Sequence, residues 1–537
     1  MSYKANSFQQ ITLNDRFLSL PERSRKIVEK SWAKDYADIV FPAINEDRFS
    51  VLYSDNDASR PNTPINSTIV ALILKEQQHL SDDELIESIH CDVRFQYAMH
   101  TTHLDNQPYS DRTFSRFRER LYNYTLENGV DLLEEEMKSL ADHYTKIMNL
   151  DSNIKRMDSL MVASHCKRMS RLEILYTTTS NAVKLIHRLV GDELLSSELL
   201  HYLDKDDENE VIYYCKGEDI TPRLEKVINE ACLVRDLMDD DSWHDFVEYQ
   251  LLIRVLNEQT DVDDEGNVIP KSNKNISTTS VQNPSDPDAT FRSKAGKDHK
   301  GYVANIIESI DNNGNGIITD YSYETNNHSD SEFCKDYLNN REEDAPAETM
   351  IADGAYGGQE NHQLAEGKYV NLVTTALTGQ QPDEIFSEFE LSEDGRNVIK
   401  CPAGNTPVKN TYYPKTGVIR SLFPKDSCDN CPYKDKCKGK QQKKNYAVHI
   451  SQKMVERAAY KKKLSTTDYK ALTKMRNAIE GIPSVLRRKY RIDEIPVFGH
   501  IRSKFFVDLK IGAYNICKLR KYNQQQRDKC ALNAVIC

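Results

Sequence analysis

Apolar and polar positions follow two different rules along this chain, and the switches between them mark its organisation. Residues 1–150 carry helical spacing. Ile69 to Gln77 reads as one helix, and Ser81 with Glu84 matches the capping box that opens a second, running to about His90. Two short helices across a tight turn have the form of a helix-turn-helix, which is also common in ordinary helical proteins. A third helix is expected over Ser110–Leu121, where Arg112, Arg116, Arg118 and Arg120 interleave with Phe114 and Phe117. Arg112 and Arg116 are suited to contact phosphate over a Phe-packed helix, although a surface helix with an ordinary buried stripe gives the same pattern.

From residue 154 the pattern changes. The segment IKRMDSLMVAS (154–164) reads as a strand, polar at its start and apolar toward its end. Residues 170–280 then look helical and acidic, with runs at Asp204–Glu208 and Asp239–Asp241, and Ser272–Asp288 reads as a polar loop. Strand patterns resume at Gly301–Ile310 and Ile317–Tyr323, joined by Asp311-Asn312-Asn313-Gly314-Asn315-Gly316. Gly314 and Gly316 are expected at positive φ in that hairpin turn. Glu348–Ala352 runs into Asp353-Gly354, and Tyr369–Thr375 is a further strand candidate. This order predicts an α/β fold, a mixed sheet with helical insertions, preceded by an all-helical region. The division expected is a helical unit over 1–150 and a sheet-based unit over 151–537, interrupted at about 168–280 and again by a Cys-rich segment at about 400–445.

The chain has 537 residues, 39% hydrophobic and 29% charged, enough for two or three domains with cores of their own. No apolar leader segment is visible near the first residues, and the longest strongly apolar run, Ile69–Leu74, is too short to span a bilayer. A cytoplasmic protein without membrane association is therefore expected. The net charge of −12 conceals an asymmetry: residues 401–537 carry +20 and residues 1–400 carry −32. A basic C-terminal quarter beside an acidic remainder points to a local surface for a polyanion, though a Lys-rich solvated surface gives the same count.

Two aspartates fall where the strand patterns present side chains. Asp158 lies inside a strand, where a charge is costly unless paired or metal-bound. Asp353 follows a strand and precedes a Gly-rich turn, the place where open α/β sheets put their chemistry. A third acid, Glu480, is expected on a helix. Leu472, Met475, Ile479, Ile482 and Leu486 form its apolar stripe, with Thr473, Arg476, Glu480 and Arg487 on the adjacent face. Glu480 would then project beside the core, with Pro483 an awkward interior residue. A solvated i,i+4 pair with Arg476 is the ordinary alternative. Three such carboxylates could hold two Mg²⁺ or Mn²⁺ ions for phosphodiester chemistry. Separately, Cys428-Asp429-Asn430-Cys431 with Cys437 and upstream Cys401 offers four thiolates for a structural Zn²⁺. Lys425, Lys434, Lys436, Lys438 and Lys440 are expected to lower their pKa values. Unpaired reduced thiols are the alternative.

Taken in order, these motifs resemble the DDE transposases of bacterial insertion sequences. The stretch Asp111–Arg118 resembles that family's helical N-terminal domain, and Arg156-Met157-Asp158-Ser159 its first catalytic strand. Asp286-Pro287-Asp288-Ala289 with Lys300-Gly301-Tyr302 resembles the approach to its second strand, and Ala352–Tyr356 its second acidic motif. Arg476–Gly481 resembles the third motif, and Ala513-Tyr514-Asn515 the terminal helix. The chain departs from a related signature at Thr473 and Arg487, where that signature has Tyr and Lys. The resemblance implies a ribonuclease-H-like catalytic domain with Asp158, Asp353 and Glu480 as catalytic metal ligands. It implies binding of double-stranded DNA, both element ends and target, with Arg112, Arg116, Arg476 and Arg487 contacting it. Strand cleavage followed by strand transfer is the implied reaction, by a homodimer on paired ends. A nuclease that cuts without joining, and an inactive DNA-binding derivative, share these residues.

Overall fold

The computed structural model describes residues 1–6, 15–56, 58–105, 107–110, 112–150, 153–214, 217–294, 296–375 and 381–536. The N-terminal part is helical, as its spacing predicts. Its main helices are α1 (Ile65–Gln78), α2 (Asp82–Cys91), α3 (Thr113–Asn128) and α4 (Leu132–Ile147). The capping box at Ser81 and Glu84 is formed in both directions. Every residue from Ile65 to Gln77 is buried, so α1 is an interior helix rather than one face of an exposed pair. The last helix of the chain, α13 (His500–Ile536), packs against α1, α4 and the sheet.

The sheet contains β1 (Ile154–Ala163), β2 (Thr290–Lys294), β3 (Lys297–Ile310), β4 (Gly316–Thr325), β5 (Glu348–Ala352) and β6 (Val370–Thr374). Its order is β2-β3-β1-β5-β6, with β4 also on β3. β3 is antiparallel to β1 and β4, whereas β5 is parallel to β1 and β6 parallel to β5. Alternate side chains of β1 sort to opposite faces, as a two-residue period requires. Leu160 and Val162 join the core shared with the N-terminal helices and α13, while Met157 and Met161 join a second core. That second core is closed by α8 (Asp330–Asn340) and α9 (Gln359–Gly367).

Between β1 and β2 lies the acidic insertion, built on α5 (Arg171–Val190), α6 (Ile220–Leu237) and α7 (Val247–Gln259) around a core of its own. It leaves and rejoins the sheet at one place, because Ala163 and Thr290 both pair with Gly301. A Cβ on Gly301 would lie 2.4 Å from the Val162 carbonyl oxygen, and its φ is +139°, so the motif Lys300-Gly301-Tyr302 marks a backbone crossing. Gly314 has φ +82°, as its turn requires. Gly316 does not; a Cβ there would strike the Glu308 carboxylate at 2.3 Å. Gly316 is needed for space, not for backbone conformation.

The motif Asp286-Pro287-Asp288 anchors α13. Buried Asp286 accepts from Tyr302 Oη at 2.6 Å, Ser164 Oγ at 2.6 Å and the Gly499 N–H at 3.1 Å, and Asp288 accepts from the His500 N–H. Further along α13, Asn515 donates to Ile318 O at 2.8 Å and accepts from Ile318 N–H at 3.0 Å. These bonds patch β4 beside the bulge at Ile307/Glu308. Asn515→Ala leaves both backbone groups buried without partners, and each such loss costs about 1–3 kcal/mol. Chemical denaturation is expected to show a deficit of about 3 kcal/mol; a change below 1 kcal/mol would rule this patching role out.

The Cys-rich segment is more than a knuckle. It forms an antiparallel sheet of β7 (Lys409–Tyr413), β8 (Val418–Pro424), β9 (Lys440–Gln441) and β10 (Asn445–Ser451), in the order β7-β8-β10-β9. Its own small core includes Phe386, Phe389, Ile419, Phe423, Val448 and Ile450. Helices α10 (Gln452–Leu464), α11 (Thr467–Arg476) and α12 (Gly481–Arg488) lead from it back to the main sheet.

Candidate active site

β1 and β5 run side by side with Arg156 opposite Ile351. Asp158 stands two residues further along β1, on the same face as Arg156, and Asp353 stands immediately after the end of β5. Asp158 is mostly buried, with 16% of its side chain exposed, and it accepts from the Ser159 N–H at 3.0 Å. Burial pushes its carboxyl above the usual carboxylate range. Arg476, the Ser159 N–H and Lys294 oppose that rise, and Asp330 adds to it. Asp353 is half exposed and caps the turn that follows it, accepting from the Gly354 N–H at 2.6 Å. That turn is pinned from below, where buried Tyr356 donates to Asn305 of β3 at 2.9 Å and Asn361 donates to the Tyr356 carbonyl.

The third acid reaches the pair differently from the sequence expectation. A continuous helix through Glu480 is not formed. α11 ends at Arg476, residues 477–480 make a turn, and α12 starts at Gly481. Pro483 is the physical reason: a helix interior rejects it, whereas the first turn of a new helix has no use for its missing N–H. Ile479, Ile482 and Leu486 are still buried, but Glu480 is 60% exposed rather than set beside the core.

One guanidinium joins all three acids. Arg476 lies 2.8 Å from Glu480, 3.8 Å from Asp158 and 3.9 Å from Asp353, with its own side chain only 14% exposed. Its Nε is buried with no hydrogen-bond partner among the described residues. Among those residues, no group of three or more His, Cys, Asp or Glu is arranged to hold a metal ion. The guanidinium accounts for this around the carboxylates, since it sits between them.

The sequence reading missed the clamp beneath this cluster. Arg156, on the same face of β1 as Asp158, is buried against Glu308 and donates through Nη1 to the Met475 carbonyl at 2.6 Å. It thereby ties the C-terminal end of α11, next to Arg476, to the strand that carries Asp158. A charged pair at an i, i+2 spacing from a candidate acid was the available signal. Arg487 stands apart from the carboxylates, held by Asp493 at 3.1 Å and donating to the Met161 carbonyl at 2.8 Å. Thr473 donates within its helix, to the Lys470 carbonyl.

Beside Asp353 a cleft of about 700 Å³ opens between α9, β6 and α10. Gly354, Gly357 and Gly358 form its wall near the acid, and Lys453, Arg457 and Lys463 face it from α10. The basic charge of the C-terminal quarter is thus partly gathered next to the carboxylates. Arg112 and Arg116 are elsewhere, exposed at the start of α3. Phe114 and Phe117 of that helix are buried as expected; Asp111 lies outside the described residues.

Cys401, Cys428, Cys431 and Cys437 all line one small cavity of about 30 Å³, together with Phe389, Phe423, Tyr433 and Tyr446. At Cys428 and Cys437 the lysine neighbours do not lower the thiol pKa. Burial, then the neighbouring thiols, push Cys428 up to about 11, and burial also raises Cys437. Lys434 is occupied by Asp429 and the face of Tyr446.

No helix among the described residues is long and apolar enough to cross a membrane. Comparison with known proteins adds two matches. Residues 27–120 match the family Transposase domain (DUF772), and residues 400–520 match the family Transposase DDE domain. The first stretch holds α1, α2 and Arg112 and Arg116; the second holds the four cysteines, Arg476 and Glu480, while Asp158 and Asp353 lie outside both. No curated protein and no solved structure was found to match the chain. Both matched families are transposase families, which indicates a transposase function, is consistent with the DDE type of insertion sequences and implies a DNA substrate.

Proposed function

We propose that this transposase cuts one DNA strand at the ends of an insertion sequence and joins the freed 3′-OH to target DNA, using Asp158, Asp353 and Glu480. The convergence of these three acids, from two strands and a helix junction, on the single guanidinium of Arg476 carries the reading. The strand order and directions around β1 support a ribonuclease-H-like sheet. Residues 1–150 form the helical DNA-binding unit and 151–537 the catalytic unit with its two insertions.

Three carboxylates reaching one cationic group make an oxygen-rich donor set suited to Mg²⁺ or Mn²⁺. Bound there, two such ions would activate the attacking oxygen and stabilise the leaving one. Asp158 and Asp353 would be shared ligands and Glu480 would complete the set. Arg476 competes for the same oxygens, so loading requires it to turn away, and a phosphate of the DNA is the natural acceptor for its fork. Arg487 holds α12 to the end of β1 within reach of the duplex, and a homodimer would bring two ends together.

The four cysteines, like the carboxylates, do not stand in a metal-holding arrangement among the described residues; that all four line one cavity supports drawing them together on a structural Zn²⁺, which takes tetrahedral sulfur ligands. Elemental analysis of the purified chain is expected to give one zinc per molecule and none in Cys428→Ser. Zinc absent from the intact protein would leave the cluster as reduced thiols.

The decisive assay uses the DNA flanking the chain's own gene with a supercoiled target plasmid. Mg²⁺-dependent cleavage and covalently joined product are expected, both abolished by EDTA. Cleavage without joining identifies a nuclease, and neither reaction with any divalent ion identifies an inactive DNA-binding derivative.

A further inference from the structure

We propose that a cleft in the helical N-terminal region grips a backbone phosphate of DNA, separately from the carboxylate cluster; this rests on the transposase reading for the identity of the polyanion. The cleft has a volume of about 290 Å³ and is lined by Arg60, Arg116, Arg120, Ser110 and Thr113. Among the described residues, none of these three guanidiniums has a carboxylate partner in an ion pair. Arg118, on the same helix, differs: it is paired with Asp82. The interleaved arginines of α3 therefore divide by role. Arg118 serves the fold, while Arg116 and Arg120, one turn apart on one side of the helix, face Arg60 across the cleft.

Three cations around one space, none paired with a carboxylate among the described residues, repel one another unless an anion enters. Arg120 is held in place from behind, over the Tyr53 ring at 4.9 Å and against Met1 Sδ at 3.4 Å. A second observation points to the same ligand. Ser110 and Thr113 bring the start of α3, a helix of sixteen residues, to the cleft. Its N-cap residue, Arg112, makes no side-chain capping bond, whereas the helices beginning after Ser81, Ser170 and Ser329 each have a complete capping box. The positive end of the helix dipole favours a phosphate there, although the Thr113 N–H is itself taken by the Ser110 carbonyl and the Ser110 N–H by Thr113 Oγ1. The volume suits a phosphodiester with its flanking sugars better than a bare ion. The cleft also lies within or beside residues 27–120, the stretch matched to a transposase domain.

The test uses the full chain and a fluorescein-labelled 30-base-pair duplex of arbitrary sequence, with anisotropy read from about 0.05 to 0.3 M KCl. The triple variant Arg60→Gln/Arg116→Gln/Arg120→Gln is expected to bind about tenfold or more weakly near 0.15 M salt. Its plot of log affinity against log salt should be shallower by about one unit, as for one lost phosphate contact. The corresponding triple Lys variant keeps the charge and should recover most of the slope, which excludes misfolding as the cause. Wild-type affinity and slope in the triple Gln variant overturn the proposal. So does calorimetric binding of inorganic phosphate that the triple Gln variant loses while its duplex affinity stays unchanged, since the cleft then serves a small phosphate ligand. Measuring affinity in EDTA separates the two readings: duplex binding and its salt slope need no divalent ion, whereas strand cleavage does.

Discussion

Asp158→Asn and Asp353→Asn, each made alone, are expected to slow strand cleavage by about a thousandfold or more, a loss of roughly 4 kcal/mol in transition-state stabilisation. Single-turnover cleavage of a labelled duplex measures it. Asn preserves the outline of the side chain and can still accept the Ser159 or Gly354 N–H, so what disappears is the negative charge. The folded state should not suffer. Burial already pushes Asp158 above the ordinary carboxylate range, which means the fold penalises its charged form. A neutral Asn relieves that cost, and the melting temperature at neutral pH is expected to hold or rise. Wild-type cleavage in both variants would remove these aspartates from the mechanism. Lost cleavage with a collapsed melting temperature would instead assign them to the fold.

Arg156→Ala is expected to cost about 3–5 kcal/mol of stability, because it leaves Glu308 as a buried charge without its partner. Lys518, at 4.0 Å from the other Glu308 oxygen, is too distant to replace it fully. Urea denaturation reads this loss. The variant Arg156→Leu/Glu308→Leu separates support of the fold from placement of the site. Removing both charges should restore most of the stability, as replacement of buried pairs by apolar residues often does. Cleavage should stay low, because the Met475 carbonyl has lost the donor that ties the Arg476–Glu480 turn to β1. Full cleavage in a stable double variant would show that Arg156 does not position the turn.

β5, which leads to Asp353, is legible in the sequence as a short apolar run ending at Asp-Gly, and β1, which carries Asp158, as a polar start giving way to an apolar end. β5 is formed over the residues expected, Glu348–Ala352. The capping box at Ser81 was legible for the same reason, since its chemistry is local. What escaped was long-range. Of the stripe expected beside Glu480, Ile479, Ile482 and Leu486 are buried, whereas Leu472 and Met475 are only half-buried. The stripe could not reveal that Pro483 belongs to the first turn of a new helix, where the penalty against it vanishes. The spacing of the cysteines names candidate ligands and is silent on the sheet beneath them. The lysines around it misled because charge proximity in sequence was weighed without the burial that opposes it. Arg156 was in plain view two residues before Asp158, yet its partners, Glu308 and Met475, lie 152 and 319 residues away.

The junction at Gly301 bears on the order in which this protein assembles. Asp158 and Asp353 are on neighbouring strands but far apart in the chain, and β1 cannot meet β3 until the intervening segment has been gathered in. Closing a flexible loop of that length, rather than one about a tenth as long, costs about 2 kcal/mol in entropy. Because the acidic insertion has a core of its own and its two ends meet across a single residue, early compaction of that body shortens the effective loop to its neck. Helices with local contacts form quickly, whereas sheets made of distant strands form slowly. The insertion is therefore expected to act as an internal template, and pulse-labelled hydrogen exchange should show amides of α5–α7 protected before those of β5.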